Sequence, residues 1–259
     1  NPSEAINLTN ILMQGGVEAH KATSAFSVNG KNYEAGSIIF YGSQAFRPFL
    51  ADLMEEQVYP DQFQYPGGPP MPPYDLAGWT LPMQMGVQVD RITTEFNASA
   101  EEISQKLVPD PGTVSGDGRY GYAFSNRDNL SAKAINKLQK AGYTVSVLGA
   151  DEGDLNAGSI VVRSKRGLDN EVQKLSKELG LNFTGLRSKP SAELAELNPV
   201  KVGIYKSWQA NMDEGWSRWM LEQFDFDLDT LHNEDIQNGN LSQYSAIIFP
   251  DQSERGIME

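Results

Sequence analysis

An internal repeat constrains the fold of this chain more than any other feature of its sequence. The segment Ala35-Gly36-Ser37-Ile38 recurs as Ala157-Gly158-Ser159-Ile160, and Asn7-Leu8 recurs as Asn129-Leu130, both at an offset of 122 positions. These matches fall in the same order of predicted elements, which is helix, strand, buried strand and helix. We therefore predict that residues 6–57 and 129–179 are two copies of one α/β unit.

The spacing of apolar side chains places the elements of both copies. Helical spacing predicts helices, over residues 6–14, 43–57, 129–141 and 168–179. Alternating or continuous apolar runs predict strands, over residues 17–28, 35–41, 119–125, 143–148 and 157–162, with Asn29-Gly30 as a hairpin turn. The strand at 119–125 precedes the second copy, so we expect an equivalent strand upstream of Asn1. The chain is thus expected to be part of a longer protein.

A third α/β segment follows a linker that is predicted to hold one helical turn between residues 188 and 199. A predicted strand at 201–205, a helix at 213–224 and a buried strand at 244–249 have the order that opens a doubly wound parallel sheet. The expected fold class is α/β, with repeated three-layer units and largely parallel sheets. Three regions are predicted: 1–118 with a proline and aromatic insertion at 59–90, the repeat-related 119–190, and 191–259.

Composition and charge exclude several classes of function. The sequence has no Cys, which removes disulfides, thiolate metal sites and cysteine nucleophiles together. Its net charge of −13, from 34 acidic and 21 basic residues, argues against a nucleic-acid partner, because phosphate binding depends on basic surface. No apolar run approaches the roughly 20 residues that a membrane-spanning helix needs. Neither nucleic acid nor membrane is expected as a partner.

The sequence contains no motif that identifies a reaction. Residues 116–121 fit G-x-G-x-x-G but precede a predicted strand, so a glycine turn is favoured over a nucleotide site, which would open a helix. A catalytic zinc needs three protein ligands, and the two histidines, His20 and His232, have no partners at ligand spacing. No Ser stands in G-x-S-x-G. We therefore assign no catalytic residue, no metal ligand and no cofactor to this chain.

The insertion between the copies has two interpretations. In the structural one, Asp75 caps a short helix over residues 76–85, Gly86 ends it, and Trp79 is buried. In the functional one, Tyr74 and Trp79 form a ligand-binding surface. The structural interpretation is favoured, because large aromatic side chains serve cores more often than sites.

A second candidate site lies in the third segment, where Asp213, Glu214 and Trp216 follow the first strand. Ligands of open α/β sheets are bound at such turns. Asp213 is equally well placed to cap the helix, with Glu214 in its first turn, and this interpretation is favoured in the absence of a nucleophile. Trp216 and Trp219, with Trp208 nearby, could bind sugar or peptide, but docking against a neighbouring domain is the favoured role.

Two longer stretches carry a resemblance to a known family. Residues 74–87, YDLAGWTLPMQMGV, and residues 201–219, KVGIYKSWQANMDEGWSRW, together resemble the large bacterial zinc carboxypeptidase-like proteins. In these proteins a metallopeptidase domain is followed by a long α/β region similar to class I glutamine amidotransferases. The resemblance covers most of the chain and implies a glutamine amidotransferase-like, flavodoxin-like architecture. The zinc ligands and catalytic Glu of the family have no matching positions in this chain, and the amidotransferase nucleophile, a Cys, is absent.

The resemblance implies a role as well as a fold. We expect a non-catalytic accessory region of a secreted or periplasmic metallopeptidase, which supports the peptidase domain or recognises its peptide substrate. Zinc is then implied for the parent's catalytic domain, and the partner is that domain. Two alternatives stay open: an amidotransferase-like hydrolase whose active residues lie beyond Glu259, and a ligand-binding module built on the aromatic insertion.

Overall fold

The computed structural model describes residues 2–73 and 78–258, which form two compact units, residues 1–109 and 110–259. The first has a three-stranded sheet with helices against it. The second contains a six-stranded sheet and a parallel three-stranded sheet. The chain is therefore a mixed α/β protein.

The first unit is built around a small antiparallel sheet in the order β4-β1-β5. Its elements are α1 Pro2–Gln14, β1 His20–Ala22, β2 Phe26–Val28, β3 Lys31–Tyr33, β4 Ile38–Ile39, α2 Arg47–Met54, α3 Leu81–Gln84 and β5 Ala100–Glu102. The two longer helices bury Leu8, Leu12 and Leu50, and Val17 joins them. This cluster is the core of the first unit.

The strand predicted over residues 17–28 is divided into β1 and β2, and β2 is the first strand of a hairpin. Asn29 and Gly30 have φ values of 50° and 78°, which is the turn geometry that the Asn-Gly pair favours, and β2 pairs with β3 across it. The prediction of a hairpin turn is confirmed, but the partner strand is β3 and not the buried strand that follows. The hairpin carries Phe26 onto an aromatic row with Tyr33 and Phe96.

The six-stranded sheet of the second unit has the order β11-β8-β9-β7-β10-β6. The elements are β6 Val114–Gly116, β7 Gly121–Phe124, α4 Leu130–Lys140, β8 Val145–Leu148, β9 Ile160–Arg163, α5 Leu168–Leu179, β10 Phe183–Leu186 and β11 Leu194–Glu196. Within it, the chain order β7-α4-β8-β9-α5-β10 and the sheet order β8-β9-β7-β10 define a split βαβ arrangement of the ferredoxin-like kind. Both helices pack on one face, against residues such as Phe124, Val162 and Phe183.

This sheet corrects two predictions. Its described strand pairs are antiparallel except for β10 with β6, so largely parallel sheets were the wrong expectation here. The reason is that β8 and β9 are joined by a loop and not by a helical crossover, and β9 then lies between β7 and β8. The described helices cover one face of the sheet, whereas the expected three-layer unit would have helices on both faces.

The third α/β segment follows the predicted order and is parallel throughout. It comprises β12 Lys201–Tyr205, α6 Met212–Gln223, β13 Asp227–Leu231, α7 Asn233–Asn238, a 3-10 turn Leu241–Gln243, β14 Ala246–Ile248 and α8 Glu254–Met258. The strand order β13-β12-β14 is the start of a doubly wound sheet. The helical turn predicted between residues 188 and 199 is wrong, because that stretch supplies β11, which pairs with β8.

The two repeat copies share their strand register. His20 lies opposite Ile39, as Ser146 lies opposite Val161. The outer strands correspond too, since β5 pairs with β1 as β11 pairs with β8. The backbone hydrogen bonds that connect the two strands match one for one. In the first copy they are Ala22 N–H to Ser37 O, Gly36 N–H to Ala22 O and Ser37 N–H to Glu34 O. In the second copy they are Leu148 N–H to Ser159 O, Gly158 N–H to Leu148 O and Ser159 N–H to Asn156 O.

The strand register shows which of the two sequence matches pairs structurally equivalent residues. The second strands correspond at the offset of 122, so Ile38 is equivalent to Ile160. The second helices begin one residue out of that register, since Arg47 N–H bonds to Gln44 O as Leu168 N–H bonds to Lys165 O, at an offset of 121. The first helix and first strand correspond at an offset of 126 instead, because the first helix of each copy ends with the same backbone hydrogen bonds. In the first copy these are Gly16 N–H to Met13 O and Val17 N–H to Leu12 O. In the second copy they are Gly142 N–H to Gln139 O and Tyr143 N–H to Leu138 O. The Asn7-Leu8 match is therefore one helical turn out of structural register.

Candidate functional site

The third α/β segment brings together most of the predicted site residues, because α6 begins just after β12. The helix is capped by Asn211, whose side-chain oxygen accepts a hydrogen bond from the Glu214 N–H at 3.0 Å. Asp213 lies in the first turn and is exposed, so its predicted role as the N-cap is wrong. Asn211 also donates to the Asp251 carbonyl at 2.9 Å, which ties the start of α6 to the chain after β14.

Glu214 is a buried structural carboxylate. Its side chain is 5% exposed and accepts from Arg218 Nε at 2.7 Å, with Arg218 Nη2 on the same oxygen. Lys206 Nζ lies 3.9 Å from the other oxygen. A buried carboxylate must be paired in this way to offset its lost hydration. Its two cationic neighbours therefore engage both oxygens of the candidate site residue Glu214.

The opposite face of α6 exposes large apolar side chains. We call this the Trp–Met face; its members and exposed fractions are Met212 at 76%, Trp216 at 64%, Trp219 at 55% and Met220 at 46%. Their spacing places them on one side of the helix, while Leu221 and Glu214 are buried on the other. The indoles of Trp216 and Trp219 meet edge to face at 5.9 Å. Aromatic pairs of this kind are preorganised for contact with another surface.

A groove of about 320 Å³ adjoins the Trp–Met face where α6 ends. Met220, Phe224 and Phe226 line one side of it, and residues around the start of α4 line the other: Asn126, Asp128, Asn129 and Ala132. Asn136 of α4 donates to the Phe224 carbonyl at 2.8 Å, and so holds the end of α6 in place. The apolar surface of α6 thus continues into a concave region of the same unit.

The carboxyl ends of the parallel strands carry a second group of aromatic side chains. Tyr205 at the end of β12 donates a hydrogen bond to Asn233 and lies 5.3 Å from the ring of Phe249. Trp208, which is 76% exposed, stacks on His232 at 4.1 Å with an interplanar angle of 7°. Ligands of doubly wound sheets are bound at this edge. We call Trp208, His232 and Phe249 the carboxyl-end group.

The hydrogen bond of His232 fixes its tautomer. Nδ1 lies 2.7 Å from the Lys206 carbonyl oxygen, which can only accept, so Nδ1 carries the proton. The Nε2 atom of a neutral ring is then an acceptor. His232 also begins α7, where its backbone N–H donates to Asp235 at 2.8 Å. His232 therefore joins the end of β13 to the start of α7.

An ion pair and a tyrosine hydrogen bond stabilise the parallel three-stranded sheet. Lys201 Nζ lies 2.8 Å from Asp229, and Tyr244 donates to that carboxylate at 2.9 Å. The hydrogen bond from Lys201 lowers the pKa of Asp229, with Tyr244 as the second cause, and the bond to Asp229 raises the pKa of Lys201. These groups link β12 to β13 and to the residues just before β14, and serve the fold of the segment.

The remaining candidate residues lie elsewhere. Trp79 belongs to the first unit, where it is half-buried and 6.0 Å from the ring of Tyr59, whereas full burial was expected. Tyr74 lies outside the described residues, as does the predicted cap Asp75. The predicted helix is shorter than 76–85 and spans α3, because Pro82 fits only a first turn; Gly86 follows it with φ 62°.

His20 and the glycine motif have structural positions. His20 lies on β1, and its ring contacts the ring of Tyr41 edge to face, with 5.0 Å between the ring centroids. Its Nδ1 is buried and makes no hydrogen bond within the described residues. Residues 116–121 connect β6 to β7, which places the glycines at a strand start and not at a helix start.

Sequence reasoning missed the carboxyl-end group. His232 and Phe249 each follow directly on a strand of the parallel sheet, and Trp208 comes three residues after one. The rule that ligands bind at the carboxyl ends of parallel strands would have found them, had β13 been recognised. It was missed because Asp227–Leu231 is only five residues long and has only two apolar side chains, Leu228 and Leu231.

Comparison with family models, curated proteins and solved structures finds no match for this chain. Among residues 2–73 and 78–258, no three His, Asp or Glu side chains are grouped so that they could hold a metal ion. None of the helices in that part of the chain has the length and apolar character to cross a membrane.

Proposed function

We propose that this chain is a non-catalytic accessory α/β region of a secreted or periplasmic zinc carboxypeptidase-like protein, and that the Trp–Met face docks on the neighbouring peptidase domain. The observation that carries the proposal is the exposure of four large apolar side chains on one side of α6. The other side of that helix is already committed to the sheet through Leu221 and the Glu214 ion pair. The exposed face thus has no role in the fold of its own segment.

The chemistry of the face favours a protein partner. Trp and Met are enriched in the buried centres of protein interfaces, and contiguous exposed apolar patches mark sites of interaction. Two tryptophans at neighbouring positions would supply most of the binding energy, since a few aromatic residues dominate typical interfaces. The role of the parent's zinc is confined to the peptidase domain in this proposal.

The test begins with the complete gene. An H-x-x-E motif encoded upstream supports the accessory role, and the upstream domain can then be purified and titrated with this chain by calorimetry. The double variant Trp216→Glu/Trp219→Glu should weaken binding at least about 30-fold, because loss of a single hot-spot aromatic costs about 2 kcal/mol or more. Trp208→Glu is the control, since it places a carboxylate on an exposed tryptophan of the same segment outside the face, with one added negative charge against two in the double variant. Equal losses for both variants would contradict the proposal.

A second candidate function rests on the carboxyl-end group. The stacked Trp208 and His232 pair, with an acceptor Nε2 at the ligand-binding edge of the sheet, favours a small-molecule or peptide site. This site would fit the amidotransferase-like hydrolase if the gene encodes a Cys or Ser nucleophile and a later His downstream. A downstream nucleophile without an upstream H-x-x-E motif would replace the accessory role with this one.

A further inference from the structure

The first repeat copy has an open sheet edge where the second copy has a strand. In the order β4-β1-β5, β4 is an edge strand, and within the described residues no strand pairs with its outer side. Edge strands present unpaired backbone N–H and C=O groups that can accept a further strand.

In the second copy the equivalent edge is covered by β7. Residues 121–124 pair antiparallel with β9, with Tyr122 opposite Val162 and Phe124 opposite Ile160. The bond from Ser164 N–H to the Tyr120 carbonyl shows that these are hydrogen-bonded pairs, because such pairs alternate along an antiparallel ladder. The backbone groups of Ile160 and Val162 therefore face β7. At the offset of 122, the residues of the first copy that face outward are Ile38 and Phe40.

The side chains next to the open edge are less buried than their equivalents. Ile160 and Val162 are fully buried, whereas Ile38 and Phe40 are only half-buried. Apolar surface that β7 and its surroundings bury in one copy is thus left exposed in the other.

We propose that the outer edge of β4 binds an extended peptide segment that pairs antiparallel, in the register that β7 adopts on β9. The segment has apolar residues at two alternate positions, opposite Phe40 and Ile38, and a small residue between them, as in Tyr122-Ala123-Phe124. Backbone hydrogen bonds to the edge provide affinity, and the alternate apolar side chains provide specificity by covering the half-buried Ile38 and Phe40. This inference does not depend on the Trp–Met face or on its partner.

The experiment uses the strand of this chain that covers the equivalent edge. The full chain, labelled with ¹⁵N, is titrated with a synthetic peptide of residues 119–126, and amide exchange is followed by NMR. At a peptide concentration about ten times Kd, exchange of the Ile38 and Phe40 amides should slow about tenfold, because only the unbound fraction exchanges. Neighbouring Ile39, whose N–H faces β1, is the internal control and should change little.

Two matched peptides separate strand pairing from general stickiness. A peptide that is N-methylated at Tyr122 and Phe124 keeps its side chains and charge but cannot donate to the edge, so it should give no protection. A peptide with Asp at both positions tests the apolar requirement and should bind at least about tenfold more weakly, since each loss removes a buried aromatic.

Three results would overturn the proposal. They are no binding of the unmodified peptide at millimolar concentration, equal protection by the N-methylated peptide, and protection of Ile38 and Phe40 before any peptide is added. The last result, together with a doubled mass by analytical ultracentrifugation, would mean that a second copy of this chain occupies the edge.

Discussion

Trp79 shows what half-burial of a large side chain implies for stability. Its ring packs near Tyr59 but keeps part of its surface in solvent. Trp79→Ala should lower the free energy of unfolding of the first unit by about 1 to 2 kcal/mol, because only part of the apolar surface is lost. Denaturant unfolding followed by tyrosine and tryptophan fluorescence measures this loss.

The matched control for Trp79 is Phe183→Ala, at a position 1% exposed in the core of the second unit. That truncation should cost about 3 to 5 kcal/mol, as large aromatic deletions in cores do. A cost for Trp79→Ala as large as the control would restore the fully buried, structural role that the sequence suggested. No measurable cost would favour a binding role for Trp79.

Glu152 links the loop after β8 to the segment before β11. Its carboxylate accepts from the Ala192 N–H at 2.7 Å and from the Ser191 N–H at 3.0 Å, and these bonds lower its pKa, the Ala192 bond most. A carboxylate with a lowered folded-state pKa stabilises the fold above its unfolded pKa of about 4.3, and that contribution is lost as the pH falls through the folded value.

We therefore expect Glu152→Gln to lower the thermal midpoint at pH 7, and the gap from the unmodified chain to narrow as the pH approaches 3. Thermal unfolding by circular dichroism at a series of pH values gives this curve. Asp154→Asn removes a charge from the same loop without touching either backbone bond and serves as the control. A gap that stays constant with pH would mean that the carboxylate charge plays no part.

Helix α6 depends on a buried ion pair as well as on its cap. Arg218→Met leaves the Glu214 carboxylate buried with only Lys206 at 3.9 Å, so we expect a loss of about 3 to 5 kcal/mol, as for other broken buried pairs. The double variant Glu214→Leu/Arg218→Met removes both charges and should recover most of that loss. Urea unfolding of the two variants provides the comparison.

The outcome that would contradict this account is a double variant less stable than Arg218→Met. It would mean that the ion pair contributes net stability beyond compensating its own burial. The exposed Trp–Met face on the other side of α6 should be indifferent to both changes. Intact docking by the double variant would therefore separate the fold of the helix from its proposed role.

Elements with a strong local pattern were predictable. The predicted bounds of α5 and β12 coincide with the observed ones, because apolar residues at clear periods decide both. Strands such as β5, β10 and β11 were missed. Ala100–Glu102 and Leu194–Glu196 are short and acidic, and they become strands only because β1 and β8 offer edges to pair with. Such non-local pairing leaves no periodic signal in the sequence.

The candidate site was predictable in position more than in role. The turn after β12 was identified from its place in a βα unit, but Asn211 caps the helix where Asp213 was expected to. Both residues are good capping types, and the choice depends on where the first helical turn begins, which neighbouring contacts decide. The exposure of Trp216 and Trp219 likewise follows from which side of α6 meets the sheet.

At the scale of the whole molecule, the two units differ in how much core each repeat copy can build. The second copy surrounds its helices with β7 and β10, and thirteen buried residues form one cluster there. The first copy has four such residues around α1 and α2, an open edge at β4 and a half-buried insertion. Buried apolar area is the main source of stability, so the same supersecondary unit should be much less stable in the first copy.

This difference predicts how the two units behave when each is expressed alone. Residues 110–259 should fold cooperatively, with dispersed amide resonances and a single sharp denaturant transition, because every described strand of this unit pairs within the unit and a large core lies inside it. Residues 1–109 should unfold at a distinctly lower denaturant concentration and over a broader range. The contrast follows from strand pairing and burial, since the repeat helices and strands occur in the same order and the strands share their register.

Adding the 119–126 peptide should raise the denaturant midpoint of the 1–109 unit, whereas the N-methylated peptide should not. If residues 1–109 instead proved as stable as residues 110–259, the insertion would have to supply the stability that β7 supplies in the second copy.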